Sequence, residues 1–171
     1  MSDTLDTIKC PACQKEMAKV FVPSEGVNID ICVNGCGGIY FDVREFEHFD
    51  EQHEDIDEII KAIDGKTFKP VDDTLPRSCP VCGSKMAKHY ASAKHEILID
   101  ECYSCGGKFL DHGELQKIRE QYVTEDERTA DIMKYIHREV GAELKALNDE
   151  AEKLRAERSI LKKLYDKIFD L

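Results

Sequence analysis

The eight cysteines of this chain stand in two groups of four with nearly the same spacing, and that arrangement constrains the fold more than any other feature. Cys10-Pro11-Ala12-Cys13 is followed by Cys32-Val33-Asn34-Gly35-Cys36; Cys79-Pro80-Val81-Cys82 is followed by Cys102-Tyr103-Ser104-Cys105. The likeness runs beyond cysteine. Met17-Ala18-Lys19 recurs as Met86-Ala87-Lys88, Ile29-Asp30 as Ile99-Asp100, and Glu45-Phe46 as Glu114-Leu115. Gly37-Gly38-Ile39-Tyr40-Phe41-Asp42 returns as Gly106-Gly107-Lys108-Phe109-Leu110-Asp111. The offset is 69 residues at Cys10/Cys79, 70 at Ile29/Ile99 and 69 again at Cys36/Cys105. One extra residue in the second repeat's hairpin therefore balances one extra between Cys32 and Cys36. The chain is a tandem duplication.

Four cysteines brought together from two tight turns suit a tetrahedral zinc ion, because thiolate is a soft ligand and each Cys-x-x-Cys turn aims backbone N–H groups at its sulfurs. Pro11 and Pro80 preset the first turns, and Gly37 and Gly106 permit the positive φ that such knuckles need. Between the cysteine pairs lie 18 residues in the first repeat and 19 in the second, enough for one β-hairpin. Residues 27–31 and 97–100 read as the return strands, with Gly26 near the first hairpin's tip. The pattern is that of a zinc ribbon. Disulfides would need an oxidising compartment, and a thioredoxin-like site would need a βαβ setting that is absent. Iron is the competing metal, since a site of four thiolates accepts either. Four cysteines close each shell, so no open position for hydrolytic water follows, and His112, His48 and His53 read as surface or packing residues. No nucleophile triad or phosphate-binding loop stands out, and an enzyme is not expected.

Composition limits the remaining classes. With 24 basic and 35 acidic residues among 171, the net charge is −11, the wrong sign for coating nucleic acid by bulk charge. The longest uncharged stretch, residues 31–41, is too short to span a bilayer. The first six residues are acidic and lack the apolar core of a signal peptide, so a reducing cytoplasm is the expected compartment and no membrane partner is expected.

The expected architecture is a small, metal-stabilised α+β protein with two four-cysteine zinc ribbons, each a β-hairpin plus knuckles. Residues 1–42 form the first zinc ribbon, 43–65 an acidic amphipathic helix, 66–76 a proline-bearing linker, 77–122 the second ribbon with a helix start, and 123–171 a long C-terminal helix. Asp42-x-x-Glu45 and Asp111-x-x-Glu114 resemble capping boxes. Phe46, Phe49, Ile56, Ile59, Ile60 and Ile63 fall near helical spacing, predicting one helix over 43–64 that ends at Gly65. Thr124-Glu125-Asp126-Glu127 opens the last helix, along which Ile132, Ile136, Val140 and Leu144 recur every four residues. Leu144, Leu147, Ala151, Leu154, Arg158, Leu161, Tyr165 and Ile168 then follow the three-four rhythm of a coiled coil. Homodimerisation through 144–168 is expected, against the alternative of a helix folded back on its own ribbons.

The motif Cys-Pro-x-Cys…Cys-Gly-Gly-x-aromatic-x-Asp-x-x-Glu-Leu/Phe resembles the TFIIB-type transcription-factor zinc-finger family over residues 8–49 and 77–118. The resemblance implies two Zn2+ ions, one per repeat, held by Cys10, Cys13, Cys32 and Cys36 and by Cys79, Cys82, Cys102 and Cys105. Family members usually carry tryptophan after the glycine pair, where this chain has Tyr40 and Phe109. Three residues rather than two separate Cys32 from Cys36, and Val43-Arg44 replaces the usual x-Gly.

Charge is unevenly spread. Residues 42–68 hold ten acidic and three basic residues, including Glu51, Glu54, Asp55, Asp57 and Glu58, whereas residues 69–122 hold eight of each. The expected function is a non-enzymatic zinc-binding protein-interaction module with a regulatory role, its protein partner unidentified. Two alternatives stay open. One is nucleic-acid or transcription-complex binding through the basic second hairpin, with Lys85, Lys88, His89, Tyr90, Lys94 and His95. The other is a zinc or redox sensor whose labile site is the atypical Cys32–Cys36 knuckle.

Overall fold

The computed structural model of the protein describes residues 6–169. Residues 1–5, most of the stretch on which the expectation about a signal peptide rests, and residues 170–171 lie outside the described residues. Each repeat folds as a three-stranded antiparallel meander: β1 (Ala18–Val22), β2 (Val27–Ile31) and β3 (Ile39–Phe41), then β4 (Ala87–Tyr90), β5 (Leu98–Glu101) and β6 (Lys108–Leu110). The four-residue loop after Val22 is closed by the Gly26 N–H on the Val22 carbonyl at 2.9 Å, with Gly26 at φ 70°. That is the left-handed backbone a glycine adopts without steric cost.

The repeats are not beads on a linker. β3 pairs antiparallel with β6, which makes one six-stranded sheet in the order β1-β2-β3-β6-β5-β4. The register sets Ile39 opposite Leu110 and Tyr40 opposite Phe109. Tyr40 and Phe109 are the same position of the two repeats, so the join is a pseudo-two-fold. Alternation along these strands divides the core between the sheet's faces. Tyr40 and Phe109 are buried among the cysteines, Met17 and Met86, while Phe41 and Leu110 are buried with Ile29, Ile31, Phe49, Ile59, Leu115 and Ile118. Phe41 packs its ring edge-on to Phe46 at 5.6 Å between centroids. The segment between the repeats is anchored too: Phe68 lies against the His112 ring, 4.6 Å between centroids.

The single helix expected over 43–64 is not formed. In its place are a 3-10 turn at Phe46–His48, an irregular stretch, and the short helix α1 (Asp57–Ile63). The cause lies 65 to 70 residues away. Arg119, in α2 (Glu114–Arg119), donates to the carbonyls of Phe49 at 2.8 Å, Gln52 at 3.0 Å and Glu54 at 2.8 Å. Those oxygens would otherwise accept from the N–H groups four residues on. The stretch 50–55 holds no apolar side chain, so a helical turn there would bury nothing in return. Glu54, expected on a solvated acidic face, turns back to accept the Glu51 N–H at 2.7 Å, and burial raises its carboxyl.

Both Asp-x-x-Glu sequences make the glutamate's half of a capping box: Glu45 accepts the Asp42 N–H at 2.8 Å and Glu114 the Asp111 N–H at 2.7 Å. α3 (Glu125–Phe169) has the fuller motif: Thr124 Oγ1 accepts the Glu127 N–H at 3.2 Å, and Glu127 reaches back to the Val123 N–H at 3.1 Å. Residues through Glu127 make one compact unit and those from Arg128 onward a second. The second unit is the body of α3 alone. Its apolar side chains at Ile132, Ile136, Val140, Leu147, Leu154 and Leu161 are all exposed. The side chains of Leu144 and Ile168, at the ends of the expected coiled-coil stretch, lie outside the described ones. Among the described residues no helix is long and apolar enough to cross a membrane.

Candidate metal centres

Each knuckle is built by local turns. The Cys10 N–H donates to the Lys15 carbonyl and the Gln14 N–H to the Cys10 carbonyl, at 2.8 and 2.9 Å. The second repeat repeats both bonds, Cys79 to Ser84 and Gly83 to Cys79, at 2.8 and 2.9 Å. The return knuckles close through Gly37 N–H to Cys32 carbonyl at 3.1 Å and Gly106 N–H to Cys102 carbonyl at 2.7 Å. Gly37 and Gly106 stand at φ 76° and 81°, the positive values that the knuckle spacing called for. The additional residue of the first repeat is absorbed at Gly35. A Cβ there would lie 2.6 Å from the Cys32 sulfur and 2.7 Å from that of Cys13, so only glycine lets the longer loop wrap the sulfurs.

The result is two tetrads. Cys10, Cys13, Cys32 and Cys36 lie with their sulfurs within 4.8 Å of one another, and so do Cys79, Cys82, Cys102 and Cys105. Neighbouring sulfurs are 3.4 Å (Cys10–Cys36), 3.3 Å (Cys13–Cys32), 3.5 Å (Cys79–Cys105) and 3.4 Å (Cys82–Cys102) apart. Four thiolates about 2.3 Å from a tetrahedral zinc stand about 3.8 Å from one another, so the donor set and its dimensions fit that ion. Two four-cysteine groups, one per repeat, are consistent with two Zn2+ ions.

The sulfurs sit in unequal surroundings. The hydrogen bond with Cys10 holds Cys36 down to about 5, with the Gly38 N–H adding to the effect, while burial pushes Cys32 up to about 11 and Cys105 up to about 12. The same hydrogen bond, followed by burial, raises Cys10, against the N–H groups of Cys13 and Ala12. Exposed Cys82 is held down to about 6 by hydrogen bonds from Ser84. A divalent ion binding such a set displaces the remaining protons, which makes metal uptake dependent on pH.

No motif in the amino-acid string announces what crosses between the ribbons. Tyr40, on β3 of the first ribbon, lies over Gly107 of the second, where an added Cβ would sit 1.9 Å from its hydroxyl. That hydroxyl is 3.3 Å from the Cys79 sulfur and 3.9 Å from that of Cys105. Burial, then the contact with Cys79, raises the phenol and keeps it a donor. Phe109 makes the reciprocal crossing over Gly38, where a Cβ would meet the ring at 2.3 Å. Each repeat's aromatic thus covers its sister's knuckle, and the aromatic that covers the second tetrad alone carries a hydroxyl. A buried arginine marks a second asymmetry. Arg77 binds Asp100 at 2.7 Å and Asp111 at 2.8 Å and lies 5.0 Å over the Phe109 ring, in the place that Ile8 fills in the first repeat. A charge where the duplicate is apolar was the available signal.

The other singled-out residues lie elsewhere. His112 stands against Gly37 of the first ribbon and Phe68, His48 bonds Glu25 at 3.0 Å, and His53 bonds Glu51 at 3.2 Å. In the second hairpin, Lys88 pairs with Asp100 at 3.0 Å, and the His89 ring lies 3.6 Å from the Glu101 carboxylate. Lys94 contacts the Gln121 carbonyl and the Tyr122 ring, and Tyr90 stacks on His95 at 4.5 Å.

The family model described as transcription factor zinc-finger matches residues 9–51 and again residues 78–121, together just over half of the chain. The chain belongs to this family. Each match covers one complete tetrad with its hairpin, and the family is typically non-catalytic. No curated protein and no solved structure matches the chain.

Proposed function

We propose that this zinc-ribbon protein is a non-enzymatic protein-interaction module with a regulatory role, in which zinc holds the ribbon unit together and α3 offers the contact surface. Cys10, Cys13, Cys32 and Cys36 ligate one ion, and Cys79, Cys82, Cys102 and Cys105 the other. The observation that carries the reading is the row of exposed apolar residues on α3, Ile132 through Leu161. Water-exposed apolar area of that extent on one helix is characteristic of an interaction site. Support for a non-catalytic role comes from the ligand sets, since four thiolates complete a tetrahedral shell and leave no place for a reacting water. Strands of three to five residues bury too little to hold such a unit alone, so metal binding supplies folding free energy.

The test compares the zinc-loaded full-length chain with a Leu147→Glu/Leu154→Glu/Leu161→Glu variant in cross-linking and co-purification from the native cell. Protein associations lost in the variant support the reading; associations that survive it, or zinc-dependent turnover of a substrate, overturn it. Fluorescence anisotropy with labelled single-stranded and duplex DNA and RNA tests the nucleic-acid alternative. Salt-sensitive binding abolished by Lys85→Glu and Lys94→Glu would put that alternative first. The internal engagement of Lys88 and Lys94 argues for the protein reading.

A further inference from the structure

We infer that the partner of α3 is a second copy of this chain, and that the two helices pair as a parallel, in-register, two-stranded coiled coil over residues 143–165. The inference rests on the interaction-module reading and names its partner and its geometry.

The seam itself has no preferred direction, but its flanks do. With Leu147, Leu154 and Leu161 at the second core position of the heptad, Ala151, Arg158 and Tyr165 take the first. The three leucines are among the most exposed apolar side chains of the chain, at 63%, 56% and 65%. On one flank of this seam stand Glu143, Glu150 and Glu157, and on the other Asn148, Arg155 and Lys162, all exposed. One edge is wholly acidic; the opposite edge is amide, then basic, then basic.

Orientation follows from which edge meets which. In a parallel pair the acidic edge of each helix faces the basic edge of its partner, each residue meeting the one five positions further along. That sets Glu150 against Arg155 of the second copy and Glu157 against Lys162, with Glu143 beside Asn148; by symmetry the four charged pairs of the dimer are all attractive. In an antiparallel pair like edges meet, acidic on acidic and basic on basic. Leucine at the second core position is likewise the choice of parallel dimers. Arg158 is a polar residue at a single position of the first kind, the device that specifies register and strand number at a cost in stability. Its long stem can lie on the seam while the guanidinium reaches out to the edge glutamates.

The experiment uses full-length, zinc-loaded protein and analytical ultracentrifugation, with two charge-swapped chains, Glu150→Lys/Glu157→Lys and Arg155→Glu/Lys162→Glu. The wild type is expected to dimerise. Each swapped chain alone should show a dimer dissociation constant raised by on the order of 100-fold, from four attractive pairs turned repulsive. Mixed with each other, the two swapped chains should form a heterodimer as tight as the wild-type dimer. Preferential pairing of the Glu150→Lys/Glu157→Lys chain with wild type would overturn the parallel geometry, because that is the antiparallel result. A wild-type monomer at every concentration overturns the inference. If its leucine row still captures another protein, the interaction-module reading stands without it; if not, both fall.

Discussion

Removing one hydroxyl should separate the two zinc sites in behaviour. In Tyr40→Phe the ring still covers Gly107 and the β3–β6 join keeps its packing, so the change is confined to the hydroxyl's contacts with the Cys79 sulfur at 3.3 Å and the Cys105 sulfur at 3.9 Å. A hydrogen bond to a charged acceptor in a buried setting is worth about 1.5–3 kcal/mol. Converted, the second site should lose zinc affinity by roughly tenfold to a hundredfold, the range seen when groups that orient metal ligands are removed. The first site, whose covering ring is Phe109, should keep its affinity. Chelator competition on the zinc-loaded chain would read the two release steps, and cadmium-113 NMR of the substituted protein would give one resonance per tetrad, assigned with a Cys82→Ser variant. The converse, Phe109→Tyr, adds a hydroxyl at the two-fold equivalent position and should slow release from the first site. An unchanged second-site resonance and release step in Tyr40→Phe would refute the reasoning, as would a shift confined to the first site.

Arg119→Met removes three bonds to carbonyls, one of them buried, and should destabilise the ribbon unit by about 2–4 kcal/mol. Arg119→Lys should rescue little, since a single ammonium cannot span three carbonyls; hydrogen exchange over residues 49–55 would reveal the loosened segment, and unchanged protection would contradict the role given to Arg119. Arg44, exposed at φ 69° where the second repeat has Gly113 at φ 83°, should tolerate Arg44→Gly with a gain of about 0.5–1 kcal/mol in a denaturation series. Gln14→Gly, at φ 62°, should be close to neutral, because it also forfeits the side-chain bonds to the Cys10 and Pro11 carbonyls at 3.2 and 3.3 Å. Burial raises the Glu114 carboxyl above its ordinary 4.5, so the folded state binds that proton more tightly than the unfolded chain. Its contribution is present below pH 4.5 and is lost as pH rises through the folded value. The stability difference between wild type and Glu114→Gln, from which acid-driven zinc loss cancels, should therefore move in favour of wild type on acidification across that window; a flat difference would count against the assigned burial effect.

The parts of this protein that could be read from the amino-acid string are those whose causes lie within a few residues. A Cys-Pro-x-Cys turn closes on its own N–H groups, the return strand follows the hairpin spacing, and Thr124 with Glu127 starts a helix whatever the rest of the chain does. Repetition strengthened the metal reading without any structure, because two copies at offsets of 69 and 70 residues each place four cysteines in the same framework. The helix expected over 43–64 failed for the opposite reason. Its local spacing is helical, yet three of its carbonyls bind a guanidinium 65 to 70 positions further on, and no local rule contains that competitor.

The same division runs through the metal centres. Sequence alone determined the two tetrads, the turns that carry them and the heptad rhythm of α3, since each depends on spacing along one stretch of chain. Tertiary structure decided that the ribbons share a sheet, that Tyr40 and Phe109 exchange places across it, and that one tetrad receives a hydroxyl which the other lacks. β3 and β6 have three residues each, too few to announce a partner or a register. Their pairing is set by burying an aromatic from each repeat against the other's paired glycines, a condition met only when both ribbons are present in three dimensions.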